Sequence, residues 1–375
     1  MRLILASLLL MAAAIAAILA GNPGQGTPLW PGARHTVEER NQAVLRGTEF
    51  LYRFARTPDY FRRWGHDLIG AFYDIATTSA DGVLQRRAWR MAHERAVEWR
   101  RLHPGVPPET NPGDLTNLIW GNDTAERLGV PDPRMRAALQ AAVGRFTVVD
   151  YLGFDPTREP PPADLPEPCE KCGWHNVRGA RACAQCGSKL VFFNRYALFQ
   201  DALINTSTCD QAGIPLGAHY MDVLRWLPAM RPWPARKPDN HLDYYAGIYC
   251  ATHVVYTYNR YSRFRLPRTC FPDEFEHLRG NLQRAILEKD PEILGEYLDS
   301  LRSFGLAFED ASIRGGFDFL LSAQNPDGSW GDMTDPDPYA RYHSTWTAVD
   351  GLRGYLWPQV LPCPVFWASA STSTA

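Results

Sequence analysis

The residues whose spacing most clearly indicates chemistry are four cysteines in two Cys-x-x-Cys pairs. Cys169 and Cys172 form the first pair and Cys183 and Cys186 the second, and a glycine follows each pair. Two such pairs can place four thiolates on a tetrahedron around Zn²⁺, because the glycines permit the tight turns that direct sulfur to the metal. Four thiolates complete the coordination sphere, so the sequence predicts a structural zinc. Two disulfides or free thiols are the alternative.

Three histidines and one aspartate form a second candidate site: His219, His253, His343 and Asp222. Imidazoles on helices that face one cavity can bind a metal or transfer protons. Asp222 lies three residues after His219, where it can act as a further ligand or orient the imidazole. These residues are predicted to be catalytic, and a second metal is an open part of that hypothesis. The alternative is that each histidine is separately hydrogen-bonded in the interior.

The elements that must position these residues are helices. Helical periodicity of apolar residues predicts roughly twelve of them. Tyr249, His253 and Tyr256 fall on one stripe of a helix with few charges, which indicates a buried inner helix. The predicted helices are Val37–Arg56, Trp64–Ala76, Gly82–Leu102, Asp114–Leu128, Pro133–Phe146, Asn194–Cys209, Gly217–Met230, Asp239–Ser262, Phe271–Glu288, Pro291–Phe304, Ala311–Ala323 and Tyr342–Leu356.

The stretch from Arg314 to Trp330 combines a helix and a turn. Apolar residues recur at i, i+3 and i+4 from Phe317, and Asn-Pro-Asp-Gly then ends the helix. The amide of Gln324 can bond free carbonyls at the helix end. Trp330 can lie back over that end, with its ring packed and its N–H free to donate.

The spacing within this stretch resembles the QW motif of squalene–hopene and oxidosqualene cyclases, whose helix-and-turn unit recurs in protein prenyltransferase β subunits. The matching residues are Arg314-Gly315, Phe319-Leu320, Gln324 and Gly328-Ser329-Trp330, each separated by three residues. The resemblance implies an α/α toroid, in which inner and outer helices alternate around a central cavity. The fold expected is therefore all-α, a six-hairpin α/α toroid interrupted by a small zinc ribbon.

Tyr342-His343 extends the resemblance. In prenyltransferase β subunits a Tyr-His after the Gly-Gly-Trp turn supplies a zinc-binding histidine, which implies that His343 is a metal ligand. The family pairs this histidine with an upstream Asp-x-Cys, whereas the nearest counterpart here is Cys209-Asp210, in reversed order. The acidic Asp-x-Asp-Asp motif of the cyclases has only Thr334–Pro338 as a counterpart, without its final aspartate.

The N-terminal segment indicates targeting. Arg2 precedes an apolar run from Leu3 to Ala20, which suits a membrane anchor or a cleaved signal peptide. The positive start favours a body outside the cytoplasm, where zinc would protect the ribbon thiols. The predicted divisions are 1–20, signal peptide or anchor; 21–33, flexible tether; 34–155, first part of the toroid; 156–168, Pro-rich linker; 169–190, zinc ribbon; 191–358, second part of the toroid; and 359–375, disordered tail.

Composition narrows the function without defining it. The 375 residues carry a net charge of −2, which gives no reason to expect a nucleic-acid partner. The leading hypothesis is a membrane-tethered or exported enzyme that acts on a hydrophobic isoprenoid or lipid-like substrate. One alternative is a non-catalytic scaffold whose zinc ribbon docks a protein partner. Another is a carbohydrate-active lyase or hydrolase, which predicts a polar groove with paired carboxylates.

Overall fold

The computed structural model describes residues 26–237 and 240–364, and this part of the chain is all-α, with only isolated β-bridges beside its helices. The N-terminal apolar run, the start of the tether, Asp239 and the last residues of the tail lie outside the described residues. The helices are α1 Val37–Ala55, α2 Pro58–Thr78, α3 Gly82–Leu102, α4 Pro112–Arg127, α5 Pro133–Val143, α6 Val148–Leu152, α7 Arg195–Gln211, α8 Tyr220–Leu224, α9 Leu227–Met230, α10 His241–Tyr258, α11 Pro272–Glu288, α12 Pro291–Ser303, α13 Arg314–Ala323 and α14 Pro338–Leu352.

Side-chain caps set many of the helix starts. Asp81 accepts from the backbone N–H groups of Val83 and Leu84, and α3 has the predicted bounds. Asp337 caps α14 through the N–H of Tyr339. The helix therefore begins before the predicted start at Tyr342 and ends at Leu352.

Two other helix predictions need correction. The single helix expected over Gly217–Met230 is two short helices, α8 and α9. Pro228 lies in the first turn of α9 and lacks the N–H that a continuous helix would need. The short helix α6 was not predicted, and a capping box formed by Thr147 and Asp150 starts it.

Six helices follow one another around a common cavity: α2, α4, α7, α10, α12 and α14. Each packs against the next in that order. Tyr342 of α14 donates a hydrogen bond to Asp67 of α2, so the sixth helix also meets the first. The other helices connect these six, and α1 packs against both α2 and α14.

Glycines bring α12 and α14 close together. A Cβ at Gly295 would lie 2.3 Å from the backbone carbon of Thr347, and one at Gly351 would lie 3.0 Å from the Cα of Gly295. Backbones this close leave no room for a side chain at either position. The two helices thereby hold their cavity-facing side chains against one another.

The turn that ends at Trp330 joins the two ends of the helical body. Trp330 is buried, and its Nε1 donates to the carbonyl of Leu320 at 2.7 Å, which confirms the predicted packing over the helix end. The Gln324 amide donates to Gly328 O at 3.0 Å within the turn and to Ala43 O of α1 at 2.8 Å. The second bond reaches a different helix from the one expected.

The segments flanking the helices belong to the fold where they are described. Residues 26–33 are not a free tether, because Leu29 and Trp30 are buried and the Trp30 ring packs against Phe317. The tail prediction fails for residues 359–364, where Cys363 forms a disulfide with Cys270. None of the described helices has the length and hydrophobicity of a membrane span.

Candidate functional site

The four predicted zinc ligands lie together. The Sγ atoms of Cys169, Cys172, Cys183 and Cys186 all fall within 4.8 Å of one another. The Cys169–Cys186 and Cys172–Cys183 sulfur pairs are each 3.6 Å apart. A tetrahedral zinc with Zn–S bonds of about 2.3 Å requires sulfur separations of roughly 3.8 Å. The four cysteines are thus placed to bind a metal ion, in agreement with a structural zinc.

The backbone around these cysteines has the predicted form. Gly173 and Gly187, which follow the two pairs, have φ values of +71° and +73°. Their N–H groups donate to the carbonyls of Cys169 and Cys183 at 2.7 and 2.8 Å, which closes each turn around its sulfurs. Leu190 joins Cys169 and Cys183 in a small cluster separate from the main core. A bound metal would add to the backbone hydrogen bonds that already order this region.

The cavity enclosed by the six helices has a volume of about 710 Å³. Arg63, Asp114 and Asn117, in the N-terminal halves of α2 and α4, are exposed, whereas Glu296 and Asp299 further along α12 are buried. The cavity thus opens near the N-terminal ends of these helices. Eight carboxylates line it: Asp67, Asp74, Asp114, Asp201, Glu292, Glu296, Asp299 and Asp350. Eight aromatic rings also line it: Trp64, Trp120, Tyr249, Tyr256, Tyr261, Tyr339, Tyr342 and Trp346.

Two of the three predicted histidines reach this cavity. His253 and His343 line it, together with the predicted neighbours Tyr249 and Tyr256. His219 does not, because it precedes α8 on the surface, where its side chain is 67% exposed and its Nδ1 lies 2.9 Å from Asp210. Asp222 accepts a hydrogen bond from the backbone N–H of His219 at 2.9 Å, which is a helix cap. The expected convergence of three histidines is therefore corrected to two.

His343 forms an ion pair with Glu292, with Nδ1 and Oε1 3.1 Å apart. Burial alone would lower the pKa of His343, but Glu292 and Glu296 outweigh it and raise the pKa to about 9. Burial alone would raise the pKa of Glu292, but the charge of His343 and hydrogen bonds from Tyr249 and Ser344 lower it. Tyr249 Oη donates to Glu292 Oε1 at 2.9 Å. At neutral pH His343 is therefore cationic and Glu292 ionised.

Glu296 is protonated at neutral pH, in contrast to the ionised Glu292. It lies one helical turn after Glu292 on α12, is 1% exposed, and accepts a hydrogen bond from Thr252 Oγ1. Burial is the main cause that raises its pKa to about 8, although His343 and Thr252 oppose the shift. One helix face thus presents a protonated and an ionised carboxyl group at pH 7.

His253 is neutral beside this pair. Burial lowers its pKa to about 4. Its Nδ1–H donates to the carbonyl of Tyr249 at 2.7 Å, so Nε2 carries the lone pair. This ring can accept a proton or hydrogen bond, whereas the cationic His343 can only donate.

A charged network closes the inner end of the cavity. Arg353 Nε donates to Asp350 Oδ1 at 2.6 Å, and its Nη1 donates to Thr78 and Ser79 hydroxyls. Ser262 donates to Asp299 at 2.6 Å. Burial and the nearby Asp350 raise the pKa of Asp299 to about 7. The Arg353 bonds hold the ends of α2 and α14 together, and the Ser262 bond holds the segment after α10 against α12.

Metal-binding geometry is confined to the cysteines in the described part of the chain. No other group of three His, Cys, Asp or Glu side chains there brings its ligand atoms within the same distance. His343, the metal ligand implied by the prenyltransferase resemblance, instead has Glu292 as its partner. The two carboxylates on α12 were missed because an acidic stripe on an amphipathic helix ordinarily faces bulk solvent.

No family model, curated protein or solved structure matches the chain. The resemblance to cyclase and prenyltransferase repeats therefore rests on the residues around Trp330 and on Tyr342-His343. The functional argument rests on the cavity itself.

Proposed function

We propose that the chain forms an α/α toroid that cleaves glycosidic bonds in its central cavity. The fold proposal is supported by the six helices that line the cavity in chain order and by the contact between the last and the first. α/α barrels are known to host carbohydrate-active enzymes, which is an analogy of fold and no more. The functional proposal rests on one observation: Glu292 and Glu296 lie one turn apart on the cavity face of α12 in different surroundings, the first paired with His343 and the second fully buried beside Thr252.

These two groups have the protonation states that glycoside hydrolysis requires. Glu296 donates its proton to the oxygen of the leaving sugar. Glu292 acts from its ionised state, as the base that activates water or as the nucleophile. His343 and Tyr249 keep Glu292 ionised through the ion pair and the hydrogen bond described above. Thr252 orients the carboxyl group of Glu296.

The remaining lining suits a sugar. Aromatic rings such as Trp64 and Trp346 provide apolar faces for stacking, while carboxylates such as Asp67 accept hydrogen bonds from hydroxyl groups. An isoprenoid would displace water from this polar lining without offering any hydrogen bond in return, which costs free energy. The cavity lining therefore favours the carbohydrate alternative over the isoprenoid or lipid-like hypothesis.

The charge of the cavity also favours a hydrolase over a lyase that acts on uronic acids. Such a lyase must neutralise the carboxylate of its substrate, and Arg63 is the one arginine among the described lining residues. Ionised carboxylates of the lining, such as Glu292, would repel a polyanion. The substrate proposed is therefore a neutral or cationic saccharide.

The test is activity on defined sugars with Glu296→Gln and Glu292→Gln variants. Wild-type protein is assayed with neutral gluco-, xylo-, manno- and chito-oligosaccharides and their aryl glycosides, with product release as the readout. Each variant should lose about 10²–10⁴-fold in kcat, the range typical for a lost acid or base. Glu276→Gln is the matched control, because Glu276 is exposed on α11 and pairs with Arg279.

A pH profile assigns the roles. Activity should fall as pH rises through about 8, where Glu296 loses its proton. Glu296→Gln should abolish that alkaline limb in any residual activity. Wild-type protein inactive on every sugar, or variants as active as the control, would refute the hydrolase proposal.

We also propose an ion for the four cysteines and a location for the protein. The ion held by the four cysteines is Zn²⁺ with a structural role, since four thiolates leave no open coordination position. The body is exported or membrane-tethered on the outer side of the membrane. The Cys270–Cys363 disulfide supports this location, because such bonds persist in oxidising compartments.

A further inference from the structure

A second cleft of about 620 Å³ adjoins the central cavity at its open end. It lies between the N-terminal halves of α2 and α4 and the loop that joins α3 to α4, where Gly105 and Val106 form part of its wall. Four residues line both spaces: Arg63, His66, Asp114 and Asn117. The two spaces therefore adjoin at these four side chains, which we call the saddle.

Polar groups in the saddle have few protein partners. None of the hydrogen bonds among the described residues involves the side chain of Asn117, Arg63 or His66. Arg63 lies over the Trp64 ring at 4.6 Å, and His66 meets Trp120 edge-on. Burial lowers the pKa of His66, so its ring is neutral. An amide, a guanidinium and a neutral imidazole can all bond to hydroxyl groups.

We propose that the saddle and the second cleft hold further sugar units of an oligosaccharide whose scissile bond lies in the central cavity. This inference rests on the proposed hydrolase function and adds that the substrate is a chain longer than the cavity. The cleft contains both charge signs, Arg62 and Arg63 against Glu109 and Asp114, so it matches a neutral chain better than a charged one. Binding energy from the remote units would then contribute to turnover at the bond.

Gly105 offers a way to fill the cleft without disturbing the core. A Cβ built there has no heavy atom within 4 Å, so Gly105→Trp places a large side chain into open space. Gly280→Trp is the matched control, because Gly280 is exposed on α11 and has the same free space. Both variants are compared with wild type on aryl monoglycosides and on unlabelled oligosaccharides of two to six units.

For wild type, kcat/KM should rise about tenfold or more from the shortest to the longest oligosaccharide. Gly105→Trp should remove most of that gain and leave the aryl monoglycoside within about twofold of wild type, while Gly280→Trp changes neither. Asn117→Ala should reduce the same gain in part. Rates independent of length, or a length dependence that survives Gly105→Trp, would overturn the inference.

Binding separates this inference from the proposed function. Calorimetric titration of the hexasaccharides into Glu296→Gln should give tighter binding than the disaccharides, with the difference lost on adding Gly105→Trp. Length-dependent binding without cleavage by wild type would refute the hydrolase and support the extended cleft. Absence of both cleavage and length-dependent binding would refute both.

Discussion

The four-cysteine segment, residues 169–190, which we call the ribbon, and the cavity are held together in different ways. Residues 169–190 pack Leu190 and two of their own cysteines into a cluster apart from the main core. Backbone hydrogen bonds hold the rest of this segment, and its four cysteine sulfurs lie within 4.8 Å of one another. The cavity is held by helices packed at close range, as at Gly295 on Gly351, and by buried ion pairs. We therefore expect two units that can unfold separately: the ribbon on loss of a metal bound by its cysteines, and the helical body on loss of its packing or charge balance.

Removal of the metal should have the largest effect and should confine it to the ribbon. Structural zinc sites contribute on the order of 10 kcal/mol of apparent folding free energy. Cys183→Ser, or a chelator, should therefore unfold residues 169–190 and leave the helical body folded. Amide hydrogen exchange measures both regions, and elemental analysis should give one zinc per wild-type chain and none in the variant.

Cys209→Ala controls for the loss of a thiol. Cys209 is buried in the helical body, and its removal should leave the metal content unchanged. If hydrogen exchange in the cavity helices rose as much as in the ribbon after metal loss, the two regions would form one cooperative unit. The expectation that they unfold separately would then be wrong.

Two tryptophan substitutions, one in each region, should differ in their effect on stability, by less than the effect of metal removal. Trp330 is fully buried and hydrogen-bonded across the turn, so Trp330→Ala should lower the free energy of unfolding by about 3–5 kcal/mol. Trp174 in the ribbon is 50% exposed, and Trp174→Ala should change the free energy of unfolding by less than about 0.5 kcal/mol. Urea unfolding followed by far-ultraviolet circular dichroism measures both. Equal effects would mean that the ribbon surface packs on the body.

The ribbon and the cavity also differ in how much of each could be predicted from the sequence. The ribbon ligands were identifiable because the spacing of Cys169 through Cys186 encodes their geometry over a short segment. The helices and the packing of Trp330 were identifiable from local periodicity and turn chemistry, although the caps at Asp337 and Thr147 shifted or added boundaries. Both kinds of signal act between near neighbours in the chain.

The catalytic candidates were not identifiable in this way. Glu292 and Glu296 form a polar stripe on α12, and a helix in a ring has two polar environments, the outside and the central cavity. Periodicity cannot distinguish them. His219 was included for the opposite reason, since its residue type is right and only the tertiary placement shows it on the surface. The pairing of His343 with Glu292 joins α14 to α12 and has no local signal.

The smallest predicted effect is a difference between the two regions in how their stability changes with pH. The folded-state pKa of Glu296 is about 8 against an ordinary 4.5, so the folded protein binds more protons and the free energy of unfolding falls as pH rises between these values. His343, raised from 6.5 to about 9, stabilises the fold fully below 6.5, and this stabilisation is lost as pH rises through 9. The helical body should therefore be less stable at pH 8.5 than at pH 5.5. The ribbon should respond in the opposite direction, because protons compete with zinc for thiolates and acid releases the metal.

Glu296→Gln isolates the cavity part of this response, because glutamine resembles the protonated acid and does not titrate. The decrease in stability between pH 5.5 and 8.5 should be smaller in the variant than in wild type by at least about 1.4 kcal/mol, the equivalent of one pKa unit. Urea unfolding at the two pH values measures the difference, and Glu276→Gln should match wild type. Equal decreases in all three proteins would show that Glu296 titrates near its ordinary pKa, and the assignment of Glu296 as the acid would lose its physical basis.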